Sequence, residues 1–254
     1  VPRQLFSAHF LIDKPKELCS LDPGSTERKD NRSMKTRKED YLPQSEAEWL
    51  DTGKFTVKVA AVNDGRIRCA LTCGHKKSRL VIMAGGIPRD PTRHQKLPLI
   101  NKLYGHLAIK MLDYGVNSLL YNQPATGGSS GEWEKETLRS RSKTLAGIAT
   151  YFSQQTSAPD LALIGTSAGA YIAVSTLEEI RSKGCRVSKL VLLSPAAYPA
   201  EIEDVPYGKR FTQLIRTPWD IATSLVFPKL KEFVAANGSL LVSFFEADSP
   251  PIPE

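Results

Sequence analysis

The sequence predicts an α/β fold: a mostly parallel central sheet with helices on both of its faces. Three observations lead there. From Phe55 onward, short apolar runs alternate with longer segments of helical periodicity, the pattern of strands joined by right-handed crossovers. Asn63-Asp64-Gly65 stands between the first two runs, so an antiparallel hairpin feeds the sheet. Arg79 to Ala84 (RLVIMA) is continuously apolar, as a strand buried on both faces requires.

The elements follow in order. Phe55 to Val62 is a β-rich run, and Arg66 to Cys73 alternates as its returning partner. Lys96 to Tyr114 has helical spacing through Leu99, Leu103, Leu107 and Met111. Val116 to Tyr121 reads as a strand and Glu134 to Gln154 as a long amphipathic helix. Leu161 to Gly165 is a strand. Ala168 to Lys183 is a helix closed by Gly184 at a C′-like position. Leu190 to Leu193 is a strand, Lys229 to Ala236 a helix, and Ser239 to Phe245 (SLLVSFF) the last strand. Residues 1–50 are polar, proline-punctuated and weakly periodic, and read as an extension crossing the surface of a core over 51–254.

Composition narrows the function classes. The 254 residues are 41% hydrophobic and 24% charged, ordinary for one large globular domain. No apolar run reaches the ~18 residues of a membrane-spanning helix, so no stable membrane insertion is expected. Val1-Pro2-Arg3-Gln4-Leu5 carries neither an initiator Met nor a signal-peptide h-region, and the chain reads as excised or incomplete. The net charge of +7 raises nucleic acid as an alternative. Much of that charge lies in Glu27 to Asp40 (ERKDNRSMKTRKED), where acids and bases interleave without aromatics. A solvated segment is the better reading, and no nucleic-acid partner is expected. Of four cysteines, Cys69 and Cys73 share one strand face with Leu71, which reads as core packing. No zinc-site spacing is present, no metal or cofactor is expected, and a reducing, cytoplasmic setting is favoured.

The chemistry lies in Gly165-Thr166-Ser167-Ala168-Gly169, a G-x-S-x-G between the strand LALI and the helix AYIAV. A sharp turn from strand to helix holds the serine in a strained conformation with its Oγ clear of the backbone. Glycines on either side, Gly165 and Gly169, prevent clashes where strand and helix close on each other. The N–H of Ala168, at the helix N-terminus, faces the place of an oxyanion. Locally, Ser167 also reads as an ordinary helix N-cap.

From about Phe55 to its last residue the sequence resembles the α/β-hydrolase family. The resemblance implies a serine hydrolase with Ser167 as nucleophile, acting on a small-molecule acyl substrate. Ala84-Gly85-Gly86-Ile87-Pro88 takes the place of the family's H-G-x-P-like turn, implying the N–H of Ile87 or Gly86 as an oxyanion donor. The family's histidine is replaced there by Gly85. Asn122-Gln123-Pro124-Ala125-Thr126-Gly127-Gly128-Ser129-Ser130-Gly131 echoes D-x-x-G-x-G-x-S, with Asn122 for the acid, and implies a bracing loop. Phe245 to Pro253 resembles G-x-x-D-x-x-V-P, which makes Asp248 the triad acid, with Glu246 as runner-up.

A serine needs a general base, normally His, and in this fold the order is Ser, acid, His. His9, His75, His94 and His106 all precede Ser167. The catalytic histidine is therefore expected beyond residue 254, with the family's last helix and strand missing; a non-catalytic relative acting as a binding module is the alternative. His94, beyond the oxyanion-like turn, is the best upstream substitute. Lacking a following strand, SLLVSFF is expected to be an open apolar edge, leaving this chain aggregation-prone and nearly inactive. A short lid-like insertion at about 196–237 supplies Tyr198 and Trp219 as substrate-contacting residues, with Tyr207, Phe211 and Phe227 lining the same pocket or packing the lid.

Overall fold

The computed structural model describes residues 10–11, 43–72, 74, 79–87, 91–156, 158, 160–193, 203–204, 206–207, 229, 232–233, 236 and 239–243. The chain runs β1 (Phe10–Leu11), α1 (Glu46–Asp51), β2 (Phe55–Val62), β3 (Gly65–Thr72), β4 (Leu80–Ala84), a 3₁₀ turn (Pro91–Lys96), α2 (Lys102–Asp113) and β5 (Asn117–Tyr121). It continues through α3 (Leu138–Thr156), β6 (Asp160–Thr166), α4 (Ala168–Ser175), α5 (Leu177–Ser182), β7 (Arg186–Leu193) and β8 (Ser239–Ser243).

The strands form one sheet in the order β1-β8-β7-β6-β4-β5-β3-β2. β5, β4, β6, β7 and β8 are parallel, and β3 runs antiparallel to β5. β2 and β3 form the expected hairpin. Its turn uses positive φ at Asn63 (49°) and Asp64 (61°), the twist a two-residue hairpin favours.

Alternation along the central strands divides two cores. Leu80, Ile82, Leu119, Leu161 and Leu163 face α3 and α4. Val81, Met83, Leu120 and Ile164 face Trp49 of α1 and Ala108 of α2. Helices on both faces follow directly from strands apolar on both sides. α1 crosses the boundary between extension and core, and its Trp49 is buried in the second core.

Several boundaries differ from the sequence expectation. Helical spacing from Lys96 does not start a helix there, because Pro98 cannot continue one. α2 begins instead at Lys102, where the Asn101 side chain caps the Tyr104 N–H at 2.9 Å. α3 begins at Leu138, four residues late, because Thr137 and Ser140 exchange side-chain to backbone bonds of 2.9 and 3.0 Å. The helix after Ser167 bends at buried Thr176, whose hydroxyl donates to the Ser142 carbonyl at 2.8 Å.

The open edge expected at SLLVSFF is corrected at two positions, Leu241 and Val242. β1 pairs antiparallel with β8, Phe10 opposite Val242 and Leu11 opposite Leu241. Unpaired strand groups are a template for any short extended apolar segment, and here residues of the N-terminal extension occupy it.

Candidate active site

β6 ends at Thr166 and α4 starts at Ala168, so the chain reverses within Ser167. This serine has φ 54° and ψ −124°, a region that a residue with a Cβ enters only under strain. Ser167 is exposed while Gly165, Ala168 and Gly169 around it are buried. Its side chain makes no capping bond to α4, which sets aside the N-cap reading. Ala168, the first residue of α4, has a leading N–H that lacks an intrahelical acceptor.

The flanking glycines are needed for close packing. A Cβ on Gly165 would lie 2.5 Å from Ala170 Cα, and one on Gly169 would lie 2.1 Å from the Ala84 carbonyl oxygen. The turn leaving β4 is thereby pressed onto the start of α4. A Cβ on Gly86 would sit 3.2 Å from Ser167 Cβ and 3.6 Å from its Oγ. The two motifs singled out in the sequence, far apart in the chain, are thus brought together by neighbouring strands β4 and β6.

A buried relay supports the turn. Gln123 Nε2 donates to the Gly85 carbonyl at 2.6 Å, and Gln123 Oε1 accepts from Arg141 Nη1 at 2.9 Å. Arg141 Nη2 donates to the Pro124 carbonyl at 3.2 Å. Arg141 is only 1% exposed. Its guanidinium lies 5.0 Å from the Trp133 ring and 4.5 Å from that of Tyr207, a cation–π arrangement suited to holding a desolvated cation. The loop from Asn122 is braced in turn: Asn122 Nδ2 donates to Gly127 O at 2.7 Å and Ser129 Oγ to Asn122 O at 2.9 Å.

Burial sets the protonation of nearby groups. It raises the Tyr104 pKa, with a smaller opposing contribution from Thr166, so the phenol stays neutral. Tyr171 of α4 is pushed up to about 12, by burial first and then by the negative charge of Glu203. Glu203 and Asp204 both bind Arg139, at 2.9 and 2.6 Å, fastening these two residues to α3.

Of the sequence-derived residues, Gly86, Ile87, Gly165, Ser167, Ala168 and Gly169 gather at the ends of β4 and β6. Asp248, Glu246, Tyr198, Trp219, His9 and His75 lie outside the described residues. The His94 ring stacks on Trp133 with centroids 4.9 Å apart, and its carbonyl accepts from Gly127 N. Tyr207 is buried against Trp133, so it packs the core. Gln123 was expected only as one residue of the bracing loop, and Arg141 was not singled out in the sequence. The one available signal was an arginine at a core-facing position of α3. Among the described residues, no three His, Cys, Asp or Glu side chains group as metal ligands would, and no helix is long and apolar enough to cross a membrane.

The strand order, parallel centre and strand-to-helix serine turn give the chain the α/β-hydrolase fold. No family model matches it, and no curated protein does. Among solved structures it is similar to a protein described as a hydrolase from Agrobacterium vitis S4, at 18% identity and TM-score 0.48. That match covers 79% of this chain and 66% of the other. An α/β serine hydrolase without lid from Xanthomonas campestris matches at 15% identity and TM-score 0.46, over 75% of this chain and 84% of that one. Epoxide hydrolase A from Mycobacterium thermoresistibile matches at 21% and 0.42, over 57% of this chain and 40% of its own. The chain thus spans less than two thirds of the length of the Agrobacterium and Mycobacterium hydrolases.

Proposed function

We propose that the protein is a serine hydrolase that cleaves a carboxylic ester or related acyl bond of a small molecule through an acyl-enzyme. One observation carries this reading: Ser167 is exposed, strained at φ 54° and free of a capping bond, with Gly86 packed against it. Strain of this kind at an exposed serine is the mark of a nucleophile held off its backbone.

Ser167 Oγ attacks the carbonyl carbon while a histidine takes its proton. That histidine follows Asp248 in the full-length protein, in the fold's order of serine, acid and base, and Asp248 orients its ring. The N–H of Ala168 and that of Ile87 or Gly86 receive the negative charge that develops on the carbonyl oxygen. Each such donor is worth about 3 kcal/mol of transition-state stabilisation. Collapse of the tetrahedral intermediate expels the alcohol, which takes the proton from the histidine, and water then releases the acid by the same steps in reverse.

The test is fluorophosphonate labelling of the protein expressed to its natural stop codon, read by intact mass and peptide mapping. One stoichiometric adduct on Ser167, absent from Ser167→Ala, is the expected result. A folded protein that takes up no label overturns the proposal and leaves a binding module.

A further inference from the structure

Beside the oxyanion-like turn lies a cavity of about 340 Å³. Gly86 and Ile87 are among its lining residues. Met83, Leu97, Leu99, Leu103 and Leu120 supply most of its apolar lining, with Met83 and Leu120 reaching it from the face of the sheet that packs α2. The described residues that line it all lie between Met83 and Arg141.

The cavity also has polar side chains in its wall, but they are turned to the protein. Asn101 Oδ1 accepts from Tyr104 N at 2.9 Å. Asn122 Nδ2 and Gln123 Nε2 donate to the Gly127 and Gly85 carbonyls, and Thr126 Oγ1 donates to the Gln123 carbonyl at 2.7 Å. Arg141 is occupied by Gln123 and Pro124. The Tyr121 hydroxyl is the exception, buried without a hydrogen-bond partner. A wall whose polar side chains mostly have partners already rewards apolar atoms, because a polar ligand group there loses water and gains little. At the mouth, Leu103 is 60% exposed, an apolar side chain that a ligand chain would cover.

We propose that this cavity is the acyl pocket: it receives a short to medium straight aliphatic chain whose carbonyl oxygen lies toward the amides of Gly86 and Ile87. The assignment of the chain as acyl rests on the serine-hydrolase reading; the binding of an aliphatic chain does not. The volume is at the small end of ligand sites, which run from about 300 to 1,000 Å³. Long-chain lipids are therefore excluded from complete entry.

The experiment separates the two readings by removing the nucleophile. Full-length Ser167→Ala protein is titrated with propanamide, hexanamide and decanamide by ligand-observed NMR. Affinity is expected to rise about fourfold per added methylene as far as the cavity extends, then level off. Leu103→Trp and Leu97→Trp, each in the Ser167→Ala background, block the mouth and remove that dependence. Leu103 is exposed, so its variant keeps the fold, which circular dichroism verifies. Affinity that does not vary with chain length, or a dependence unchanged in both tryptophan variants, overturns the pocket. Chain-dependent binding in a protein whose Ser167 takes up no fluorophosphonate would instead retain the pocket and reject the hydrolase.

Discussion

The side-chain amide of Gln123 donates to the Gly85 carbonyl at 2.6 Å, while its own oxygen is held by Arg141 at 2.9 Å. The two bonds fix which way the amide faces. They also fix the Gly85–Gly86 peptide plane, and in a trans peptide the Gly86 N–H then points opposite to the held carbonyl. Gln123 is a positioning residue for the oxyanion-like turn. Gln123→Leu is expected to slow fluorophosphonate labelling of Ser167 about tenfold, the equivalent of one buried hydrogen bond. Gln123→Glu keeps a partner for Arg141 but directs a carboxylate at the Gly85 oxygen, and should be at least as slow. Labelling at the wild-type rate in both would show that the turn holds itself.

Ser167 lies in a backbone region that glycine enters without strain. Ser167→Gly should therefore stabilise the fold by about 1–2 kcal/mol while abolishing labelling. Urea unfolding monitored by fluorescence measures this. A loss of stability on substitution would refute strain at the elbow.

The elbow glycines separate folding from chemistry. Gly169→Ala places a methyl 2.1 Å from the Ala84 carbonyl oxygen, a backbone collision that should cost more than about 3 kcal/mol. Gly86→Ala meets its nearest neighbours at 3.2 Å or more, chiefly Ser167 itself. It should fold normally and label slowly. Equal unfolding midpoints for the two variants would contradict the packing described.

Burial pushes the Cys69 thiol up to about 12 from an ordinary 9.0. In the unfolded chain the thiol ionises near its ordinary value, whereas in the fold it stays protonated. The stability this contributes is complete below pH ~9 and is lost as the pH rises toward 12. Cys69→Ala should lessen the decline of stability over that window, and native Cys69 should resist iodoacetamide at pH 8.5. Rapid alkylation of the folded protein would show that the thiol is not enclosed.

The fold was legible because its determinants are local. Two-sided apolar strands such as Leu80–Ala84, the Asn63-Asp64 turn and the glycines about Ser167 each act within a few residues. Capping was harder to read: Pro98 and Asn101 displaced the start of α2, and Thr137 that of α3, because a proline ring or a side-chain bond outweighed apolar spacing. A bracing role for the loop of Gln123 was legible, but the relay from Arg141 through Gln123 to Gly85 was not. It joins α3, the loop after β5 and the turn after β4, and no sequence spacing encodes a bond among three elements brought together only by the folded sheet. The pairing of Phe10 and Leu11 with β8 was missed for a similar reason, since two residues carry no periodicity.

That pairing joins the two extremes of the described chain, and it has a kinetic consequence. Closing so long a loop costs chain entropy that two residue pairs recover only when β8 is already in place. β1 is thus a late addition in folding and the first part of the sheet to open again. While it is open, the β8 edge accepts any equivalent segment, including Phe10–Leu11 of another molecule. Concentrated protein refolded from denaturant would then exchange these arms, and the yield of exchanged dimer would grow with protein concentration.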